Sequence, residues 1–309
     1  MTGSRSLAVG GLLLVLLAAC TSSHGRSTPP GPGSAPATTA GSAAATSAGP
    51  ASPGRYVALG DSFTAAPLAG GLGKPVGCLR SVKDYPSLVA TAGRFSLVNA
   101  SCYGASTGDL SHAQHSGGQT NPPQLSALSA ADRVVTVQIG GDDIGFGKIA
   151  STCGALSLTS PAGDPCQRHY TQGGTDQLAR AVIQAAPGVT AALTAIRVRA
   201  PRARVLVVGY PDILPVHGNG CWPEVTIARG DLPYLRGVET KLNAMLAAAA
   251  RRAGDTFVDT YTPSIGHDAC THGGTKWVEG LIPTSAAVPM HPNALGEQAM
   301  AREIEAALG

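Results

Sequence analysis

From Arg55 onward the chain alternates two kinds of hydrophobic pattern. Five short runs are read as apolar and Val-bearing: RYVALG (55–60), FSLVNAS (95–101), RVVTVQIG (133–140), ARVLVVG (203–209) and DTFVDTY (255–261). Such runs, lacking a polar alternate face, predict strands covered on both sides, as in a parallel sheet. Between them apolar residues recur at helical spacing in DYPSLVATA (84–92), in DQLARAVIQAA (176–186) continuing through TAALTAIRVRA (190–200), in LRGVETKLNAMLAAAARRAG (235–254) and in NALGEQAMAREIEAAL (293–308). The alternation predicts one α/β domain over 55–309, a three-layer α/β/α sandwich around a central, mostly parallel five-stranded sheet. The stretches 64–83, 105–130, 146–172, 212–230 and 262–290 are rich in Gly, Pro and polar residues and are expected to be loops above the sheet. No internal repeat is visible.

The chain before Arg55 has a different composition. Residues 1–20, MTGSRSLAVGGLLLVLLAAC, carry one Arg, an apolar run too short to span a membrane comfortably, and small residues ending in Cys20. This is the pattern of an export signal, and LAAC resembles the bacterial lipobox, in which the signal is cut before a cysteine that then receives lipid. The alternative is an ordinary signal cut near Ala19, with Cys20 incidental. Residues 21–54 are almost entirely Ser, Thr, Pro, Ala and Gly, a disordered tether. As a flexible coil of roughly 34 residues it spans on the order of 30 Å. The expected location is therefore outside the cell, on the outer face of the membrane through a lipid on Cys20, or elsewhere in the envelope.

Setting Cys20 aside leaves six of the seven cysteines, an even number in an exported chain, which implies disulfides. Fifteen pairings are open. Consecutive pairing, Cys78–Cys102, Cys153–Cys166 and Cys221–Cys270, closes the shortest loops and is preferred. Zinc is disfavoured: there is no Cys-x-x-Cys, and His267 and His272 flank Cys270 at a spacing that fits no common site. A net charge of +3 with no block of Lys or Arg gives no reason to expect nucleic acid. Nothing points to a metal, nucleotide or redox cofactor, and a monomer is expected.

The candidate chemistry gathers at strand ends. In VALGDSFTA (57–65) an apolar run halts at Gly60 and sets Asp61 beside Ser62; open parallel sheets hold their ligand crevice at that carboxyl edge. The second strand leads into NASCYGAS with Gly104, the third ends in GGDD (140–143), and HPN (291–293) precedes the last helix. Together, in this order, these motifs resemble the SGNH or GDSL hydrolase family over roughly 55–305, in particular its secreted actinobacterial esterases and lipases with three disulfides and a flavodoxin-like sheet. The resemblance implies Ser62 as nucleophile, His291 as general base, and an oxyanion hole made by the N–H of Ser62, the N–H of Gly104 and the side chain at 142. Acyl transfer requires those three classes of group: a hydroxyl, an imidazole to move its proton, and donors aimed at developing negative charge.

Two positions depart from the family pattern. Asp142 stands where Asn is usual, so either burial and Asp143 keep it protonated and able to donate, or it is structural while Ser62 and Gly104 suffice. Val288 stands where an Asp three residues before the histidine would steady the imidazole; a backbone carbonyl from the segment just before His291 is expected instead, with no role for Asp259 or Asp268. Ser62 also has a plain reading as a helix cap. Ser106 in GASTG is a rival nucleophile, since Gly-x-Ser-x-Gly is the elbow of α/β-hydrolases, but the residues after it are expected to be too polar for the helix that elbow needs. Asn99 is read as structural, and His112, His115, His169 and His217 as solvated.

The function expected is hydrolysis of carboxylic esters, lipid or short acyl, outside the cell. Two alternatives remain at this stage: O-deacetylation of cell-wall polysaccharide, and a weakened, ligand-binding lipoprotein. Trp222, Trp277 and Tyr234 offer an apolar or sugar-stacking wall, or ordinary packing.

Overall fold

A computed structural model describes residues 53–73 and 76–309. The predicted signal, Cys20 and nearly all of the tether lie outside the described residues. The five apolar runs are the strands β1 (Arg55–Gly60), β2 (Ser96–Asn99), β5 (Asp132–Gln138), β6 (Arg204–Val208) and β7 (Thr256–Val258), all parallel in one sheet of order β2-β1-β5-β6-β7. Two further strands, β3 (Gln114–Ser116) and β4 (Gln119–Asn121), make a separate antiparallel hairpin that the pattern did not announce.

Side-chain alternation along these strands feeds two cores. Val57, Leu59, Val135, Val137, Val205 and Val207 face the long helices α6 (Gln177–Arg199) and α7 (Leu232–Ala253). Tyr56, Ala58, Val134, Leu206 and Val208 face α2 (Tyr85–Ala92) and α9 (Ala294–Leu308), where Met300 and Ile304 meet them. Both faces are covered, which explains why the central strands β1, β5 and β6 are mostly apolar and buried along their length. The result is a three-layer α/β/α sandwich. The strand order reverses between β1 and β5, the switch point at which this arrangement opens its crevice.

The loop stretches hold more structure than expected. Residues 146–172 contain α4 (Phe146–Ser157) and α5 (Pro165–Tyr170), and the segment after β1 begins with a one-turn helix, α1 (Ser62–Ala65). A further single turn, α8 (Tyr261–Ser264), follows β7. The expectation that no helix follows Ser106 is also corrected: α3 (Thr107–Ser111) starts there, because Ser106 and Asp109 form a capping box that compensates for its polar sequence. The helix is only 5 residues long. The three disulfides pair consecutively, Cys78–Cys102, Cys153–Cys166 and Cys221–Cys270.

Candidate active site

The sheet sets the position of Ser62. Gly60 ends β1 with φ +153°, and a Cβ there would lie 2.2 Å from Thr64 Oγ1 and 2.5 Å from the Gln138 carbonyl, so glycine alone permits this exit. The Asp61 N–H donates to the Gln138 carbonyl of β5 at 3.0 Å, and the Asp61 carboxylate accepts from the Phe63 N–H at 2.9 Å, capping α1. The capping residue is thus Asp61, and Ser62 is left as the first residue of the turn, 5% exposed.

The imidazole of His291 arrives from irregular chain. Its Nε2 lies 2.7 Å from Ser62 Oγ, although the two residues are 229 positions apart in sequence. Its Nδ1 lies 2.8 Å from the Pro289 carbonyl, which can only accept, so Nδ1 carries the proton and Nε2 is free to take one. This carbonyl occupies the role expected for the segment before His291, and neither Asp259 nor Asp268 touches the ring: Asp268 accepts from the Cys270 N–H, and Asp259 from the N–H groups of Tyr261 and Thr262. Burial pushes the His291 pKa down to about 4 against the opposing pull of the Pro289 carbonyl. The ring is therefore neutral at physiological pH. Phe63 packs against it with ring centroids 4.8 Å apart.

Glu279 holds this loop together. Its backbone N–H donates to the His291 carbonyl at 3.0 Å and its carbonyl accepts from the Met290 N–H at 3.1 Å. Its buried carboxylate accepts from Asn293 Nδ2 at 2.7 Å and from the Thr284 N–H and hydroxyl at 2.7 and 3.0 Å. Burial raises its pKa, but the donors of Asn293 and Thr284 outweigh that and keep the group below its usual value. The Val288 N–H reaches the Pro67 carbonyl at 3.2 Å, tying the loop to the chain after Ser62.

Around the hydroxyl stand the remaining candidates. The Cys102 N–H donates to the Gly60 carbonyl at 3.0 Å, which brings the turn carrying Gly104, at φ +72°, to the end of β1. The N–H groups of Ser62 and Gly104 have no protein acceptor among the described residues. Asp142 lines the same pocket as Ser62 and His291, and burial, then Asp143 and Asp109, push its pKa up to about 6. Asp143 serves structure: its carboxylate accepts from the Thr107 N–H at 2.9 Å. Ser106, the rival, gives its hydroxyl to Asp109 at 2.8 Å and has no imidazole partner.

Known proteins resemble this chain in sequence and fold. Residues 58–299 match the model of the GDSL-like Lipase/Acylhydrolase family. The chain belongs to that family. It is 38% identical over 262 residues to Lipase 2 of Streptomyces coelicolor, covering 82% of this chain and 85% of that protein. Among solved structures it is similar to phospholipase A1 from Streptomyces albidoflavus NA297, at a TM-score of 0.68 and 26% identity over 82% of this chain and 99% of that one. The extracellular lipase of Streptomyces rimosus gives a TM-score of 0.67, also at 26% identity and with the same coverage. This GDSL family member is accordingly a carboxylic-ester hydrolase.

Sequence reasoning missed Tyr210. It follows β6, and its hydroxyl accepts from the Gly141 N–H at 2.8 Å while donating to the Asp61 carboxylate, so one side chain joins the turns after β1 and β5. An aromatic hydroxyl placed just beyond a strand end was the available signal. Asp61 is pushed well up by burial, then by Asp142, with the Tyr210 and Phe63 donors opposing. Asn99 is structural, as read: it donates to Asp84 at 2.7 Å and accepts from the Ser101 hydroxyl at 2.6 Å.

The pocket above Ser62 and His291 is walled by Tyr103, Phe146 and Met290, not by Trp222, Trp277 or Tyr234. Trp277 instead stacks on His267 at 4.0 Å, and the Tyr234 hydroxyl donates to Asp176. Phe146 and Met290 also line an adjoining apolar cavity of about 80 Å³, several times the roughly 10–15 Å³ one water occupies on the same scale. No cluster of three or more His, Cys, Asp or Glu fit to hold a metal occurs among the described residues.

Proposed function

We propose that this family member is an exported serine esterase that cleaves carboxylic esters through an acyl-enzyme on Ser62, with His291 as general base. The observation that carries the reading is the 2.7 Å contact between Ser62 Oγ and a neutral, buried His291 Nε2. His291 takes the hydroxyl proton as Oγ attacks the ester carbonyl carbon. The oxygen that becomes negative is received by the free N–H groups of Ser62 and Gly104, and by Asp142 in its protonated form. The imidazolium then gives its proton to the departing alkoxide. Water repeats the sequence from the other side and releases the acid. The Pro289 carbonyl fixes the tautomer as a carboxylate would, but as a dipole it steadies the imidazolium less.

The apolar cavity reached past Phe146 and Met290 supports an acyl chain rather than a sugar, and the intact Ser–His pair argues against a protein that only binds. Three disulfides support export, the Cys20 motif supports a lipid anchor there, and the Ser, Thr, Pro, Ala and Gly composition of 21–54 supports a linker ahead of a folded unit from 55 to 309. Ser62→Ala is expected to lower kcat on p-nitrophenyl acetate by about 10⁴-fold or more, with Ser106→Ala close to wild type. Full turnover by Ser62→Ala would remove the reading.

A further inference from the structure

One residue in the wall of the apolar cavity does not match its neighbours. Glu239 of α7 lies there among Ile213, Val238 and Leu242. Its Oε1 is buried with no hydrogen-bond partner, and its Oε2 receives only a long contact, 3.5 Å, from the Ile213 N–H. The other polar side chain of the wall, Tyr210, already has both its donor and an acceptor role taken by Asp61 and Gly141. A buried carboxyl oxygen left unpaired, with the equally unpartnered Asp212 carboxyl as its neighbour, is unfavourable unless something completes it.

The surroundings also bias its protonation. Burial, then the neighbouring Asp212, pushes the Glu239 pKa well above the usual range. Asp212 is itself pushed up to about 7 by burial, then by Asp268, with Tyr261 and Arg236 opposing. The Arg236 guanidinium is engaged by the Pro215 carbonyl. That shift favours the protonated carboxyl, which can donate one hydrogen bond and accept another.

We propose that the cavity takes the acyl chain of the ester and that Glu239 selects chains bearing a hydroxyl part-way along their length, exchanging hydrogen bonds with it. This rests on Ser62 being the acylated residue. Phe146 and Met290 border both the Ser62 pocket and the cavity, so a chain esterified at Ser62 passes between them. A plain alkyl chain leaves the acid unpaired, and a hydroxyl at the wrong carbon is buried without a partner. Discrimination should therefore depend on position as well as on polarity.

The test compares kcat/KM for methyl octanoate and its mono-hydroxy positional isomers, by acid release, in wild type, Glu239→Gln and Glu239→Leu, with Glu239→Met as a second apolar replacement. One isomer should exceed octanoate about tenfold in wild type, the worth of one hydrogen bond. Glu239→Gln should keep that preference, and the apolar variants should lose or invert it. A wild type that prefers octanoate to every isomer, or an apolar variant that keeps the preference, overturns the proposal. Ser62→Ala separates the two readings: if it still turns over octanoate, the assignment of Ser62 has failed, whereas an unaltered ratio in the Glu239 variants with an inert Ser62→Ala sinks only the role of Glu239.

Discussion

Ser62 and His291 reach the same point by different means. The serine sits on a turn anchored chiefly to the sheet: Gly60 ends a strand, and the Asp61 N–H bonds the neighbouring strand's Gln138 carbonyl. The histidine sits between Ser264, the end of α8, and Ala294, the start of α9, in a segment without regular structure, positioned by one buried carboxylate, a disulfide upstream and the link from Val288 to Pro67. The Ser62 side is therefore part of the domain's global stability, while the His291 side is a local unit able to open by itself. The proposed mechanism requires both, so on that reading the weaker side sets the limit.

Removing the Cys221–Cys270 bridge tests this most severely. It spans 49 positions, and the loop-entropy relation gives about 4 kcal/mol for a loop of that size. Cys221→Ser with Cys270→Ser should lose activity at a temperature below that at which far-ultraviolet circular dichroism reports loss of the sheet. The matching removal of Cys78–Cys102, spanning 24 positions on the serine side, should cost about 3.5 kcal/mol with activity and ellipticity lost together. Coincident loss in both variants would erase the distinction.

Glu279→Ala acts on the same side with a smaller effect. It removes the acceptor of Asn293 and Thr284 without touching Ser62, and a displacement of about 1 Å at a catalytic group lowers kcat about 100-fold. The melting temperature should move little, because the sheet and both cores are untouched. A large Tm shift with normal kcat would make Glu279 part of the global fold instead.

The same contrast governs what the sequence made legible. The sheet side announced itself: Val-bearing runs gave β1, β2, β5, β6 and β7 within a few residues, and Gly60, Ser62, Gly104 and Asp142 all fall at their ends. The histidine side showed only HPN. Glu279 was invisible because its partners, Thr284 and Asn293, lie in a segment with no periodicity to read. Helix α4 was passed over because its sequence, FGKIASTCGALS, buries only Ile149, Cys153, Gly154 and Ser157, too few apolar positions to show a helical stripe, while Phe146 is only partly buried and lines the pockets. Tyr210 and Glu239 act through contacts made only after folding. Ser106 misled in one respect, since a polar five-residue helix forms through its cap rather than through an apolar face.

Asp142→Asn gives the finest test, because it changes charge on the sheet side while leaving the His291 loop intact. With a folded pKa of about 6, Asp142 holds its proton at acid pH, where the proposed mechanism has it donate to the oxyanion, and loses that proton as pH rises through 6. At pH 7 about one molecule in ten retains it. Wild-type kcat/KM should therefore fall above pH 6, whereas Asp142→Asn, always able to donate, should stay level and exceed wild type about tenfold at pH 7. Stability follows the same sign: the folded state binds this proton more tightly than the unfolded chain, so Asp142 stabilises less as pH rises from about 4 to 6, and the Asn variant should gain Tm relative to wild type over that interval. The acid limb near pH 4 belongs to His291 and should be common to both proteins, since its depressed pKa arises from burial against Phe63 and not from Asp142. Identical profiles in the two proteins would leave the oxyanion to the N–H groups of Ser62 and Gly104 alone and make Asp142 a structural acid.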